Sequence, residues 1–109
     1  MWGGCMENRY KEDAKIFKAL SDEKRLYILN LLQNGEKCAC ELIDDMNIRQ
    51  SALSYHMKIL CESGIVQSRQ DGKWTHYSLS KAGSAYAIQR LSEITTPHTE
   101  QVKNCFMAL

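Results

Sequence analysis

The chain has 109 residues, a net charge of +1 at neutral pH, 44% hydrophobic and 25% charged residues, which suits one globular domain with a modest core and excludes a disordered chain. No apolar run has the length of a membrane span, and Met1-Trp2-Gly3-Gly4-Cys5 lacks the pattern of a signal peptide, so a cytoplasmic protein with no membrane partner is expected. Five cysteines, two of them one residue apart, fit reduced thiols better than a secreted disulfide framework.

In chain order, Glu7 to Leu20 reads as a helix, with Tyr10, Ala14, Phe17 and Leu20 spaced three or four apart. Ser21 stands as N-cap of a second helix, Asp22 to Gln33, whose Leu26, Ile28, Leu29, Leu31 and Leu32 turn inward before the Asn34-Gly35 stop. A short helix from Ala39 to Met46, a turn at Asn47-Ile48-Arg49-Gln50 and a helix capped by Ser51 follow. Leu53, Met57, Leu60 and Cys61 form the apolar stripe of that last helix, which Gly64 ends. Two short helices joined by such a turn predict a helix-turn-helix.

Ile65 to Gln70 and Lys73 to Leu79 read as strands around Asp71-Gly72, a tight-hairpin signal. A last helix, about Ser80 to Ile94, carries Ala85, Ile88 and Leu91 on one side, and Pro97 ends or kinks it. The expected fold is mainly α with a β-hairpin wing: a winged helix-turn-helix with an additional helix at each end. A single domain, 1–109, is expected, with its core at about 7–94 between a flexible N-terminal arm and a C-terminal tail.

The stretches Ala19-Leu20-Ser21-Asp22-Glu23-Lys24-Arg25-Leu26, Ser54-Tyr55-His56-Met57-Lys58-Ile59-Leu60 and Glu62-Ser63-Gly64-Ile65-Val66 resemble the ArsR/SmtB family of metal-responsive repressors. The wing Gly72-Lys73-Trp74-Thr75-His76-Tyr77-Ser78-Leu79-Ser80 is similar to the arsenic-sensing branch, and the resemblance covers about Ile16 to Leu91. It implies a homodimer built by the first and last helices that represses its own operon on double-stranded operator DNA until an inducer binds. Terminal helices with more apolar surface than a small winged helix needs internally agree with a symmetric dimer.

Local charge is uneven. From Arg49 to Lys81 the balance is +3, and from Glu36 to Ile48 it is −3, which can place a basic surface on one side of the domain. Ser51, Ser54, Tyr55 and Lys58 lie on the polar side of the second helix of the helix-turn-helix, beside the turn residues Arg49 and Gln50. Such groups suit base edges and phosphates of a major groove. Arg69 or Lys73 in the wing is placed to meet the backbone or minor groove. His56 is either a phosphate contact or a satisfied histidine at the core edge. His76 reads as a strand-packing residue, and Trp74 and Tyr77 are expected to pack under the wing.

Cys38-Ala39-Cys40 is the chemical centre of the sequence. Mid-helix, residues two apart point about 200° apart and cannot share an ion, but at a first turn two thiolates can converge. Helix N-terminal amides are expected to lower a thiol pKa there. The pair looks like the family's arsenic site and one limb of its cadmium and lead sites, which implies As(III) or Sb(III) as inducer, alternatively Cd(II), Pb(II) or Zn(II), with no permanently bound cofactor. Ile43 stands where the arsenic pattern often has a third cysteine. Cys5 is either the missing ligand, as in the family's cadmium and lead branch where an arm reaches the opposite subunit, or an incidental thiol in a tail. The zinc site of the last helix is poorly matched, with only His98 beyond Ser80, and Ile59 and Ser63 occupy the cysteine positions of another cadmium branch. Cys61 reads as core and Cys105 stays unassigned. No catalytic constellation is visible, and a redox dithiol would more commonly be Cys-x-x-Cys beside a βαβ unit.

Overall fold

The computed structural model describes residues 3–98. The order is α1 (Gly3–Ala19), α2 (Glu23–Leu32), β1 (Lys37–Cys38), α3 (Ala39–Met46), α4 (Gln50–Glu62), β2 (Val66–Asp71), β3 (Trp74–Leu79) and α5 (Lys81–Thr95). This is the expected winged helix-turn-helix with a further helix at each end. None of the described helices is long and apolar enough to cross a membrane.

Local chemistry sets most boundaries. The Asp22 carboxylate accepts from the amides of Lys24 and Arg25 and so caps α2, the role expected of Ser21. The Ser21 hydroxyl instead donates to the Lys18 carbonyl at 2.9 Å. Cys38 caps α3, its amide donating to Glu41 Oε1 at 2.8 Å while its sulfur accepts from the Cys40 amide, a capping box with a thiol in place of a hydroxyl. Asn47 ends α3 at φ 52°, left-handed geometry that asparagine tolerates better than most residues. Ser51 does not cap α4: Arg49 holds the cap position without a side-chain bond, and Ser51 lies inside the first turn.

The sheet is antiparallel in the order β1-β3-β2. Strand β1 is unanticipated, since two residues carry no periodicity to read. It pairs Cys38 with His76, which pairs on its other side with Arg69, so the three share one row across the sheet. The hairpin closes at Asp71–Trp74, leaving Gly72-Lys73 as its loop. Gly72 has φ 63°, the positive φ at the first central position that such loops use.

The core gathers Ile16, Ile28, Leu42, Leu53, Met57 and Leu60 from the first four helices, each at most 3% exposed. The terminal helices turn part of their apolar surface outward, and the expected inner face of α2 is buried or half-buried apart from Leu26, which is exposed. In α1 the buried positions are Asp13, Ile16 and Ala19, while Tyr10 and Ala14 face outward. In α5, Ala87 and Arg90 are buried, whereas Ala85, Ile88 and Leu91 are exposed. Arg90 donates to both oxygens of Asp13 at 2.8 and 2.7 Å, a buried fork that fastens α5 to α1.

Candidate sensor turn and nucleic-acid interface

Helix α4 buries Leu53, His56, Met57, Ile59 and Leu60, which leaves Ser51, Ser54, Tyr55 and Lys58 exposed with Arg49 and Gln50 at its start. Their spacing of three and four puts them on one stripe. Hydroxyls, a phenol and an ammonium therefore stand along the outer face of the second helix of the helix-turn-helix. Lys73 is exposed at the wing apex. Trp74 does not pack under the wing as expected: it is 49% exposed, with the Lys73 ammonium 5.7 Å from its ring centroid. Tyr77 is half-buried, and burial raises its phenol pKa.

His56, expected either at phosphate or at the core edge, takes the core edge. It is buried, and its Nδ1 lies 3.1 Å from Nη1 of Arg25. Burial is the main cause that pushes its pKa down, against the Asp22 carboxylate, which lies 3.9 Å from Nδ1. Arg25, itself buried, also donates through Nε to the Ala19 carbonyl and through Nη2 to that of Lys18. One guanidinium thus fastens the end of α1 to α4. Sequence reasoning missed Arg25, because an arginine in an amphipathic helix carries no local mark of burial.

Arg69 does not extend freely from the wing. Its Nε and Nη2 donate to the two oxygens of Glu36 at 2.8 Å each. Asp71 stands 4.0 Å from its Nη1, and His76 Nδ1 lies 3.9 Å from the same Glu36 carboxylate. The guanidinium holds the Glu36 carboxyl below its ordinary range.

The sulfurs of Cys38 and Cys40 stand 2.7 Å apart, in the turn that opens the first helix of the helix-turn-helix. Cys38 is buried and Cys40 exposed, so the pair has one sulfur toward the protein and one toward solvent. The expected lowering of thiol pKa is reversed at Cys40. Its hydrogen bond with Cys38 is the largest influence, burial adds to it, and together they outweigh the nearby amides. Among the described residues no group of three or more histidine, cysteine or acidic side chains is arranged to hold an ion. Among the described residues the candidate site thus offers two thiols, and Ile43, three positions beyond Cys40, packs against the core. Cys5 lies in the first turns of α1, and Cys105 lies outside the described residues. Cys61 is half-buried, and burial raises its thiol pKa.

A helix-turn-helix with an exposed polar stripe and a β-hairpin beside it defines a winged-helix DNA-binding regulator. The family described as "Bacterial regulatory protein, arsR family" matches residues 22–68. The chain is 45% identical over 87 residues to the arsenical resistance operon repressor of Staphylococcus aureus, covering 80% of this chain and 84% of that one. It is 37% identical over 84 residues to a cadmium resistance transcriptional regulatory protein CadC homolog of the same organism, covering 66% and 68%. The solved transcriptional repressor BigR of Xylella fastidiosa superposes with a TM-score of 0.59 at 35% identity, over 90% of this chain and all of that one. The chain belongs to the ArsR family and is a DNA-binding transcriptional repressor of that family.

Proposed function

We propose that the chain is a homodimeric operator-binding repressor that releases its DNA when a thiophilic metalloid, arsenite foremost, is taken up by Cys38 and Cys40. The observation that carries the reading is the 2.7 Å approach of the two sulfurs in the opening turn of α3. Thiolates select soft ions. Any strain at this cap passes directly into the helix-turn-helix, because Cys38 is itself the capping residue of α3. A reduced cytoplasm is the compartment in which such thiols stay available.

The dimer is supported by Tyr10 on α1 and by Tyr86, Ile88, Leu91 and Ile94 on α5, all 45–68% exposed. A two-fold pairing of the terminal helices covers them and spaces two reading helices for successive major grooves, about 34 Å apart. Ser51, Ser54, Tyr55 and Lys58 then face the groove, with Arg49 and Gln50 at the helix start and Lys73 on the backbone.

The test is operator release titrated in parallel with arsenite, antimonite, cadmium, lead and zinc. Arsenite and antimonite are expected to act at the lowest concentrations. Cys38→Ser and Cys40→Ser are each expected to keep repression and lose the response, since serine offers no soft thiolate. Release of both variants at the wild-type arsenite concentration would move the site elsewhere. A cadmium or lead sensor is the second reading, favoured by Ile43 in place of a third local cysteine and by the cadmium-resistance relative. Release by cadmium below the arsenite concentration selects it.

A further inference from the structure

We infer that the Glu36–Arg69 ion pair is a strut through which the Cys38–Cys40 turn sets the wing, so that Arg69 acts on the operator as a positioning residue rather than by touching phosphate. The inference rests on the reading of Cys38 and Cys40 as the sensor.

Glu36 stands two residues before Cys38, and Arg69 belongs to the strand of the wing farthest from it in the sheet. Cys38, His76 and Arg69 occupy one row across β1, β3 and β2. Register partners share a face of the sheet, and the Arg69 side chain reaches back along that row, past His76, to a two-pronged bond with Glu36. Both prongs are 2.8 Å, which fixes direction as well as distance. With Nε and Nη2 committed to Glu36 and Nη1 facing Asp71, the guanidinium is matched against two carboxylates. A phosphate approaching it meets little uncompensated positive charge.

The other end of the strut is the sensor. An ion held by both sulfurs would replace the Cys38–Cys40 hydrogen bond with two bonds to itself and so reset the turn that carries both residues. Cys38 is at once the last residue of β1 and the cap of α3. A change at the pair therefore acts in two directions: into α3 through the Glu41 bond to the Cys38 amide, and into the wing through β1 and Glu36. The wing and the reading helix then move as parts of one response.

Full-length wild type, Glu36→Gln, Arg69→Gln and the double variant are compared for operator affinity at several salt concentrations, with and without saturating sodium arsenite. Arsenite affinity of each free protein and a thermal melt accompany them. Each single variant is expected to shrink the arsenite-induced loss of operator affinity by about fivefold, and the double variant no further than either single. Arsenite affinity without DNA and the slope of operator affinity against salt should stay at wild-type values. A salt slope lowered by about one phosphate in Arg69→Gln, with operator affinity raised in Glu36→Gln, would instead make Arg69 a phosphate contact that Glu36 masks. Unchanged coupling in folded single variants overturns the strut alone. A wild type that keeps its operator under saturating arsenite and equally under saturating cadmium overturns the sensor reading, and the strut falls with it.

Discussion

Nη1 of Arg25 donates to Nδ1 of His56 across 3.1 Å, and since a guanidinium has no acceptor, the histidine must offer a lone pair. The imidazole is therefore neutral, with its proton on Nε2. Asp22, 3.9 Å away, favours the charged ring, but burial is the larger influence, and Arg25 and Lys24 add to it. The folded chain keeps His56 neutral to lower pH than an unfolded histidine, whose ordinary value is 6.5. The unfolded state then binds more protons, so stability is complete above about 6.5 and is lost as pH falls toward the depressed folded value. The melting temperature of wild type should drop more between pH 7.5 and 5 than that of His56→Asn, whose amide oxygen can still accept from Arg25. Equal drops in the two proteins would remove His56 as the cause.

Gly83 is where α5 meets the turn after α4. A Cβ built at Gly83 would lie 1.7 Å from the Gly64 carbonyl oxygen, and backbone cannot step aside as a side chain does. Gly64 itself has φ 83°, so its own conformation resists adjustment. Gly83→Ala should destabilise the domain by about 1–3 kcal/mol through forced overpacking, despite alanine's better helix propensity. A melt at or above the wild-type temperature would show that α5 shifts freely against the turn.

Helix α3 is legible from the sequence at about Ala39 to Met46, because Leu42, Ile43 and Met46 recur at helical spacing and Asn47 opens the turn that ends it. The candidate cysteine pair stands out by its Cys-x-Cys spacing at a helix start together with the family resemblance. What the sequence hides is direction and partnership. The Ala85, Ile88, Leu91 periodicity on α5 is real, but an apolar face turned to a second subunit has the same spacing as one turned to the core. Arg25 with His56, Arg90 with Asp13 and Arg69 with Glu36 join residues 31, 77 and 33 positions apart. No pattern along one helix or strand marks which charged residue will be buried or forked across the fold. Strand β1 was invisible for a related reason, its two residues being strand only because β3 lies beside them.

On the reading helix, Lys58→Ala should weaken operator binding about equally for specific and random DNA and lower the salt slope by about one. Ser54→Ala and Tyr55→Phe should instead change the ratio of specific to random binding, if their hydroxyls meet base edges. All three positions are exposed, so the melts should stay within about 0.5 kcal/mol of wild type. Operator affinity, salt slope and sequence discrimination unchanged in all three would take the groove-facing role away from this stripe.

Cys5 is a candidate for a third sulfur, beside Cys105 outside the described residues. Helix α1 begins at Gly3, and Cys5 lies eight residues before the buried Asp13, about 12 Å along the axis. A loose tail would lose about 1–2 kcal/mol of backbone entropy per residue on binding an ion, whereas a preformed helix has met that cost in folding. Cys5→Ser should weaken arsenite affinity without changing the operator affinity of the ion-free protein, and X-ray absorption should show one sulfur fewer per ion. Gly4→Ala separates a helical donor from an uncoiling one, since it favours helix by about 1 kcal/mol. If Cys5 binds from the helix, Gly4→Ala should hold or raise arsenite affinity; if the segment must uncoil to reach the pair, affinity should fall about fivefold, the same 1 kcal/mol expressed as binding. Identical sulfur count and arsenite affinity in wild type and Cys5→Ser would leave Cys5 a bystander.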